Sequence, residues 1–398
     1  MDQTYFRKGF GLRREIEGDL ATDYHSRLVD RIRASGHTLQ IGALTFRLAK
    51  EFGFCYGVDR AVEYAYESRR KFPDRRILLV GEIIHNPHVN EKLESMGIVI
   101  LRPEDGGRFD FGDVTAEDVV LIPAFGLRVA DFRLLRDLGC VLVDTTCGSV
   151  LNVWKRVERY ARDGFTAVVH GKHFHEETKA TTSQVTKYDG GKYLVVRDMN
   201  EAEILCAFIT GKVPLAKVQD VFGHKVSDDF DFERDLQRIG IANQTTMLAS
   251  ESLAIAQRIG EALASRYGPE QVDEHFRTFD TICSATQERQ DAILELIEEP
   301  IDAMLVIGGY NSSNTNHLAK ICAKKVTTYH IADASCIDRT TDVIRFKPVD
   351  GQEEVARSAW LSGVRVIGIT AGASTPNNKI GEAIERVLAS VGLAVPDE

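Results

Sequence analysis

The sequence predicts an α/β protein made of three similar units with parallel sheets, arranged around a pseudo-threefold axis as a trefoil-like fold with a central cavity. Two observations carry this reading. A short apolar segment, a small polar loop and a helix-like stretch recur in that order about nine times along the 398 residues, the alternation expected of parallel sheets. The loops also fall into three sets of three. From a cysteine in the first loop to a landmark in the second, the interval is 30 residues for Cys55 to His85, 28 for Cys147 to His175 and 29 for Cys283 to Ser312. Near-equal spacing in three sets marks a repeated unit, and a repeat sets the architecture before any single element does.

Residues 1–45 precede the repeat as an N-terminal extension. They are rich in Arg but also contain Asp2, Glu15, Glu17, Asp19, Asp23 and Asp30, whereas transit peptides are poor in acids, so they read as part of the mature protein. The first unit, 46–145, contains Phe54-Cys55-Tyr56-Gly57, then EIIHNPHVN after ILLV, then PAFGLR after VVLI. The second, 146–281, contains Thr146-Cys147-Gly148, HGKHFHEETKATTSQ after TAVV, and ANQTTMLASES after IGI. Within it Asp220 to Leu236 breaks the regularity and reads as an insertion or surface loop. The third, 282–398, contains Ile282-Cys283-Ser284, GGYNSSNTN after AMLVI, TAGASTPNN after VRVIGI, and a C-terminal tail. Ligands of open α/β sheets sit beyond the carboxyl ends of the strands, so all nine loops are candidates to line one cavity.

Composition excludes several classes. Asp plus Glu outnumber Lys plus Arg by 59 to 49, a formal charge of −10, which argues against a protein that tracks a nucleic-acid duplex. The longest apolar run, around Val119 to Leu127, is too short for a membrane span. Seven scattered cysteines, an odd number, do not suggest a disulfide framework. Phosphate-loop, dinucleotide-fold and H-E-x-x-H patterns are missing from the sequence, so nucleotide and zinc-protease chemistry lose support. The basic cluster from Arg69 to Arg76 reads as a solvated helix end and turn.

Cys55, Cys147 and Cys283 each stand where a strand meets a helix, and a helix amino terminus favours a thiolate. Their neighbours Gly57, Gly148 and Ser284 are small, leaving space for a bulky inorganic body. Three thiolates leave one coordination position open, as in catalytic rather than structural metal sites. Soft sulfur donors suit zinc or an iron-sulfur cluster, and spacing leaves both open. Cys140, Cys206, Cys322 and Cys336 read instead as small buried hydrophobes. Ser312, Ser313, Asn314 and Ser374 suit a phosphate. Singly they fit helix caps and turns, but together with His85 and His175 they read as an anion site. Glu177 is a candidate proton donor; Glu176 and His173 read as ordinary loop residues, and His88 and Glu82 as helix-start and structural residues.

The segments GFCYGVDRA, IIHNPHV, DTTC, HEET, QTT, ICSAT, NSSNTN and TAGAS, in that order between about Leu48 and Leu388, resemble the motifs of the 4-hydroxy-3-methylbut-2-enyl diphosphate reductase family, which closes the non-mevalonate isoprenoid pathway. YFRKGFG and PAFG are similar to its plastid and cyanobacterial branch. The resemblance implies a [4Fe-4S] cluster at the centre of the fold, with Cys55, Cys147 and Cys283 as its three cysteine ligands and one iron open. It further implies that His85, His175, Ser312, Ser313, Asn314 and Ser374 hold the diphosphate. Glu177 then donates a proton, while Thr245, between Gln244 and Thr246, lies by the substrate hydroxyl and relays protons. The implied reaction removes that allylic hydroxyl with two electrons and two protons, giving isopentenyl and dimethylallyl diphosphates.

The implied partners are the small-molecule diphosphate and an electron donor such as ferredoxin or flavodoxin, with no nucleic acid and no membrane. The implied compartment is bacterial cytoplasm, or plastid stroma in a plant or alga. Two departures stand out: Phe125 replaces a histidine that many members carry, and Gly148 replaces a proline. Reductive cleavage of an allylic C–O bond needs a redox metal, which favours a cluster over zinc. A cluster-based hydro-lyase and an iron-sulfur sensor or electron carrier are the competing classes.

Overall fold

Three sheets of mainly parallel strands are present in the computed structural model, which describes residues 4–104, 107–279, 282–349 and 351–395. The first has the strand order Tyr5–Phe6, Val141–Asp144, Val119–Ile122, Ile77–Val80, Ile98–Leu101, all parallel. The second has the order Phe276–Thr278, Ile239–Asn243, Thr166–His170, Tyr193–Val196, again all parallel. The third has the order Thr328–Ile331, Ala303–Ile307, Val366–Ala371, Leu44–Leu48, Thr38–Ile41, in which only the last pair is antiparallel. Its C-terminal part also carries an antiparallel ribbon of Val343–Phe346 and Val355–Ser358. Central segments such as ILLV, VVLI and AMLVI are buried at every position, which is why they read as unbroken apolar runs rather than alternating ones.

The repeat is visible in the pairing. In each sheet the strand before a second loop lies beside the strand before a third loop, and the next neighbour is the strand leading to a cysteine. The glycine that opens each second loop makes the same bond: the N–H groups of Gly81, Gly171 and Gly308 donate to the carbonyls of Leu101, Val196 and Ile331, each at 2.9 Å. Parallel pairing places the three loops of each sheet at one end, the carboxyl end.

One expected boundary moves. The strand Leu44–Leu48 spans residues 45 and 46 and pairs with Val366–Ala371, Thr45 opposite Val366, so the strand leading to Cys55 closes the third sheet rather than opening the first. The physical reason is that the sheet which begins at Ala303–Ile307 lacks a cysteine strand of its own until the N-terminal one joins it. The boundary at 281 lies outside the described residues. Contacts divide the chain into two units, Met1–Lys8 with Asp74–Gly81 and Ile98–Cys283, and Gly9–Pro73 with Glu82–Gly97 and Ser284–Glu398.

The segment from 220 to 236 is not a surface loop. Phe222, Phe232 and Leu236 are buried in the core of the second sheet beside Leu194, Ile239 and Ile259, and Asp231 caps the helical turn Phe232–Asp235. The basic cluster is structural. Arg69 donates to the carbonyls of Phe72, Pro73 and Gly97, while Arg76 grips Asp118.

The N-terminal extension does definite work in each unit. In one, Tyr5 donates its hydroxyl to Asp144 Oδ2 at 2.6 Å, and Asp144 Oδ1 accepts from the Thr146 N–H at 3.0 Å, one residue before Cys147. In the other, the N–H groups of Phe10 and Leu12 donate to the buried carboxylate of Glu67. Tyr5→Phe removes a hydrogen bond to a buried carboxylate, and the expected loss is about 1.5–3 kcal/mol in denaturant unfolding.

Candidate functional site

In the unit that contains Ile98–Cys283, Cys147 is the residue that precedes the helix Gly148–Arg162, with extended backbone (φ −62°, ψ 142°). Its N–H donates to the Ala124 carbonyl at 3.0 Å, tying it to the third loop of its own sheet. Burial pushes the Cys147 thiol above its ordinary range, and the nearby Cys283 sulfur and Glu177 carboxylate push the same way. The N–H groups of Ser149 and Val150 pull against that rise. The thiolate-favouring effect expected of a helix start is therefore present and outweighed by desolvation. Cys283 lies just before the helix Ser284–Leu296, and its Sγ accepts a hydrogen bond from Ser149 Oγ at 3.3 Å.

Around these sulfurs the second loop supplies His175 and Glu177. His175 precedes the helix Glu176–Thr182, and its Nδ1 accepts the Glu177 N–H at 3.1 Å. An accepting Nδ1 places the ring proton on Nε2, which makes Nε2 a donor. Glu177 is 1% exposed. Its Oε1 accepts the Thr245 N–H at 2.6 Å and its Oε2 accepts the Thr245 hydroxyl at 3.0 Å, so the carboxylate and Thr245 form one buried pair. Gln244, fully buried, accepts from Lys172 N–H and Thr178 Oγ1 and so fixes the loop beneath them. Phe125 packs edge-on against the His175 ring, centroids 5.5 Å apart. Its neighbour Gly126 has φ +78°, and a Cβ there would sit 2.3 Å from the Trp154 ring, which explains the glycine in PAFG.

The unit of Gly9–Pro73, Glu82–Gly97 and Ser284–Glu398 gathers Cys55, His85, Ser312, Ser313, Asn314 and Ser374. Cys55 precedes the helix Tyr56–Lys71, and its N–H donates to Ala373 at 3.2 Å. That is the bond Cys147 makes to Ala124, so Ser374 follows Ala373 as Phe125 follows Ala124. Ser374 donates its hydroxyl to the His85 carbonyl at 3.2 Å and accepts Asn86 Nδ2 on its own carbonyl at 2.7 Å. His85 Nδ1 lies 2.7 Å from Glu82 Oε2, which also accepts Asn311 Nδ2. Ser312 does cap the helix Ser313–Ala323, accepting from the Thr315 N–H. Asn314 is 2% exposed; its Oδ1 accepts the Ala373 N–H at 2.9 Å, while its Nδ2 is buried without a hydrogen-bond partner. A buried unpaired donor is costly and points to a ligand acceptor.

Exposure separates the cysteines. Cys55, Cys147 and Cys283 are partly exposed, whereas Cys140, Cys206, Cys322 and Cys336 are buried. Burial pushes the Cys140 and Cys206 thiols up to about 11 and Cys322 to about 12, as inert core thiols require. Accessible sulfur of this kind is a soft donor that fits an iron-sulfur group.

Residues 46–388 match the family model described as LytB protein. The chain belongs to the LytB family. LytB relatives from Cyanothece sp. and Gloeobacter violaceus, both named 4-hydroxy-3-methylbut-2-enyl diphosphate reductase, are each 44% identical to it. The alignments cover 97% and 98% of this chain and 94% of each relative. A solved structure of (E)-4-hydroxy-3-methyl-but-2-enyl diphosphate reductase, titled the terminal enzyme of the non-mevalonate pathway, superposes with TM-score 0.53 at 26% identity. It covers 86% of this chain and 98% of its own. The Plasmodium falciparum reductase structure, TM-score 0.63 at 21% identity over 86% and 87%, shows the same fold. LytB proteins are oxidoreductases with an iron-sulfur cofactor. Among the described residues no helix is long and apolar enough to cross a membrane.

Glu82, read as a helix-start and structural residue, holds the His85 ring. Sequence reading missed one contributor in this LytB chain. Ser149 bonds a sulfur supplied from 134 residues further along, which nothing in the local sequence announces.

Proposed function

We propose that this chain catalyses the reaction its LytB relatives are named for: reductive removal of the allylic hydroxyl of 4-hydroxy-3-methylbut-2-enyl diphosphate, with two electrons and two protons, to isopentenyl and dimethylallyl diphosphates. The observation that carries it is the matched set of accessible sulfurs at strand ends, Cys55 and Cys147 being fixed by the same backbone bond to equivalent alanines. Cys55, Cys147 and Cys283 would hold a [4Fe-4S] cluster with one open iron. When bound, that group supplies the electrons for C–O cleavage, replenished by a carrier such as ferredoxin or flavodoxin. Bacterial cytoplasm or plastid stroma suits such a partner.

The chain's own residues handle charge and protons. His85, His175, Ser312, Ser313, Asn314 and Ser374 hold the diphosphate, with His175 Nε2–H and Asn314 Nδ2–H as donors that burial strengthens. That handle orients the reacting hydroxyl. Glu177 stores the proton. From its Oε2, 3.0 Å from Thr245 Oγ1, a proton passes to the threonine oxygen as the threonine gives its own to the leaving hydroxyl, which departs as water. Thr245 is held for this by its N–H bond to Oε1.

Anaerobically purified protein is expected to be brown, to contain about four irons per chain, and to consume reductant with the hydroxylated diphosphate. Asn314→Ala keeps that spectrum and weakens inorganic pyrophosphate binding by roughly 10- to 100-fold, the value of one hydrogen bond to a charged group. Colourless protein with tightly held zinc overturns the proposal, as does product formed without reductant.

A further inference from the structure

One residue serves two of the sulfurs. Ser149 is the second residue of the helix Gly148–Arg162, and its N–H is one of the groups that favour the Cys147 thiolate. Its hydroxyl donates to Cys283 Sγ at 3.3 Å. A serine in the first turn of a helix ordinarily hydrogen-bonds nearby backbone. Here the hydroxyl bonds a thiol from a distant part of the chain.

We infer that Ser149 is a positioning and tuning residue for the metal centre: its hydroxyl hydrogen bond to the Cys283 sulfur raises the reduction potential of the bound iron-sulfur group. This rests on the reading that Cys147 and Cys283 are ligands. The physics is electrostatic. Adding an electron increases the negative charge shared by the cluster and its thiolates, and a donor aimed at a thiolate sulfur stabilises that charge more in the reduced form than in the oxidised one. The backbone donor to Cys147 is independent of side-chain identity, so the hydroxyl is the part substitution can remove.

The test is a redox titration of the iron-loaded protein followed by electron paramagnetic resonance, in wild type, Ser149→Ala and Ser149→Thr, with iron content and thermal midpoint measured on the same samples. Ser149→Ala is expected to load iron fully, to melt as the wild type does and to show a more negative midpoint potential. Ser149→Thr, which keeps the hydroxyl, returns the potential toward the wild-type value. An unmoved potential in fully loaded Ser149→Ala overturns the inference. Loss of iron in that variant also overturns it, because the serine would then be structural. Wild type that binds no iron sinks the ligand reading itself, whereas loaded wild type with an indifferent alanine variant sinks only the role of Ser149.

Discussion

Cys283→Ser is expected to leave a folded, colourless protein without iron or turnover. The substitution is nearly isosteric at a partly exposed loop position, where changes in packing energy stay within about 0.5 kcal/mol. What changes is the donor: a hydroxyl is a hard, weakly acidic ligand where a soft thiolate is needed. Iron should fall from about four per chain to near zero, with unaltered circular dichroism. A buried thiol provides the contrast. Cys140→Ala should keep full iron and lose roughly 1 kcal/mol of stability through a small cavity. A Cys283→Ser protein that retained colour and metal would remove Cys283 from the ligand set and with it the centre as proposed.

Glu177→Gln should reduce turnover by about 10²- to 10⁴-fold, the range for a general acid, with cluster spectra and pyrophosphate binding unchanged. The geometry makes this a clean substitution. The amide oxygen can keep the Thr245 N–H bond, and the Thr245 hydroxyl can rotate to accept from the amide nitrogen, so both contacts to the carboxylate have neutral replacements. Only the transferable proton is lost. Wild-type turnover in Glu177→Gln would exclude the carboxyl as the donor while leaving the metal site untouched.

Much of this site was legible because its residues sit at equal intervals in loops that follow apolar runs. His85, His175 and Ser312 occupy matching positions for that reason. Pairing was not legible. A four- or five-residue apolar strand such as Leu44–Leu48 carries no label for its parallel partner, and only the fold shows that it meets Val366–Ala371. The core role of Phe222, Phe232 and Leu236 was masked by the acidic residues between them, whose charges point away while the rings turn inward. The sulfur environment was half legible: strand-to-helix turns marked the three cysteines, but the degree of desolvation around Cys147 depends on neighbours far away in sequence. Phe125 could be recognised as a departure, yet its contact with the His175 ring required coordinates.

Because the strand that delivers Cys55 finds its partner in Val366–Ala371, biosynthesis has an order imposed on it. During translation the strand that leads to Cys55 can pair first with its neighbour Thr38–Ile41, but its parallel partner is the last strand of the described residues to be made. The sheet edge that carries Cys55 is therefore closed only late in synthesis.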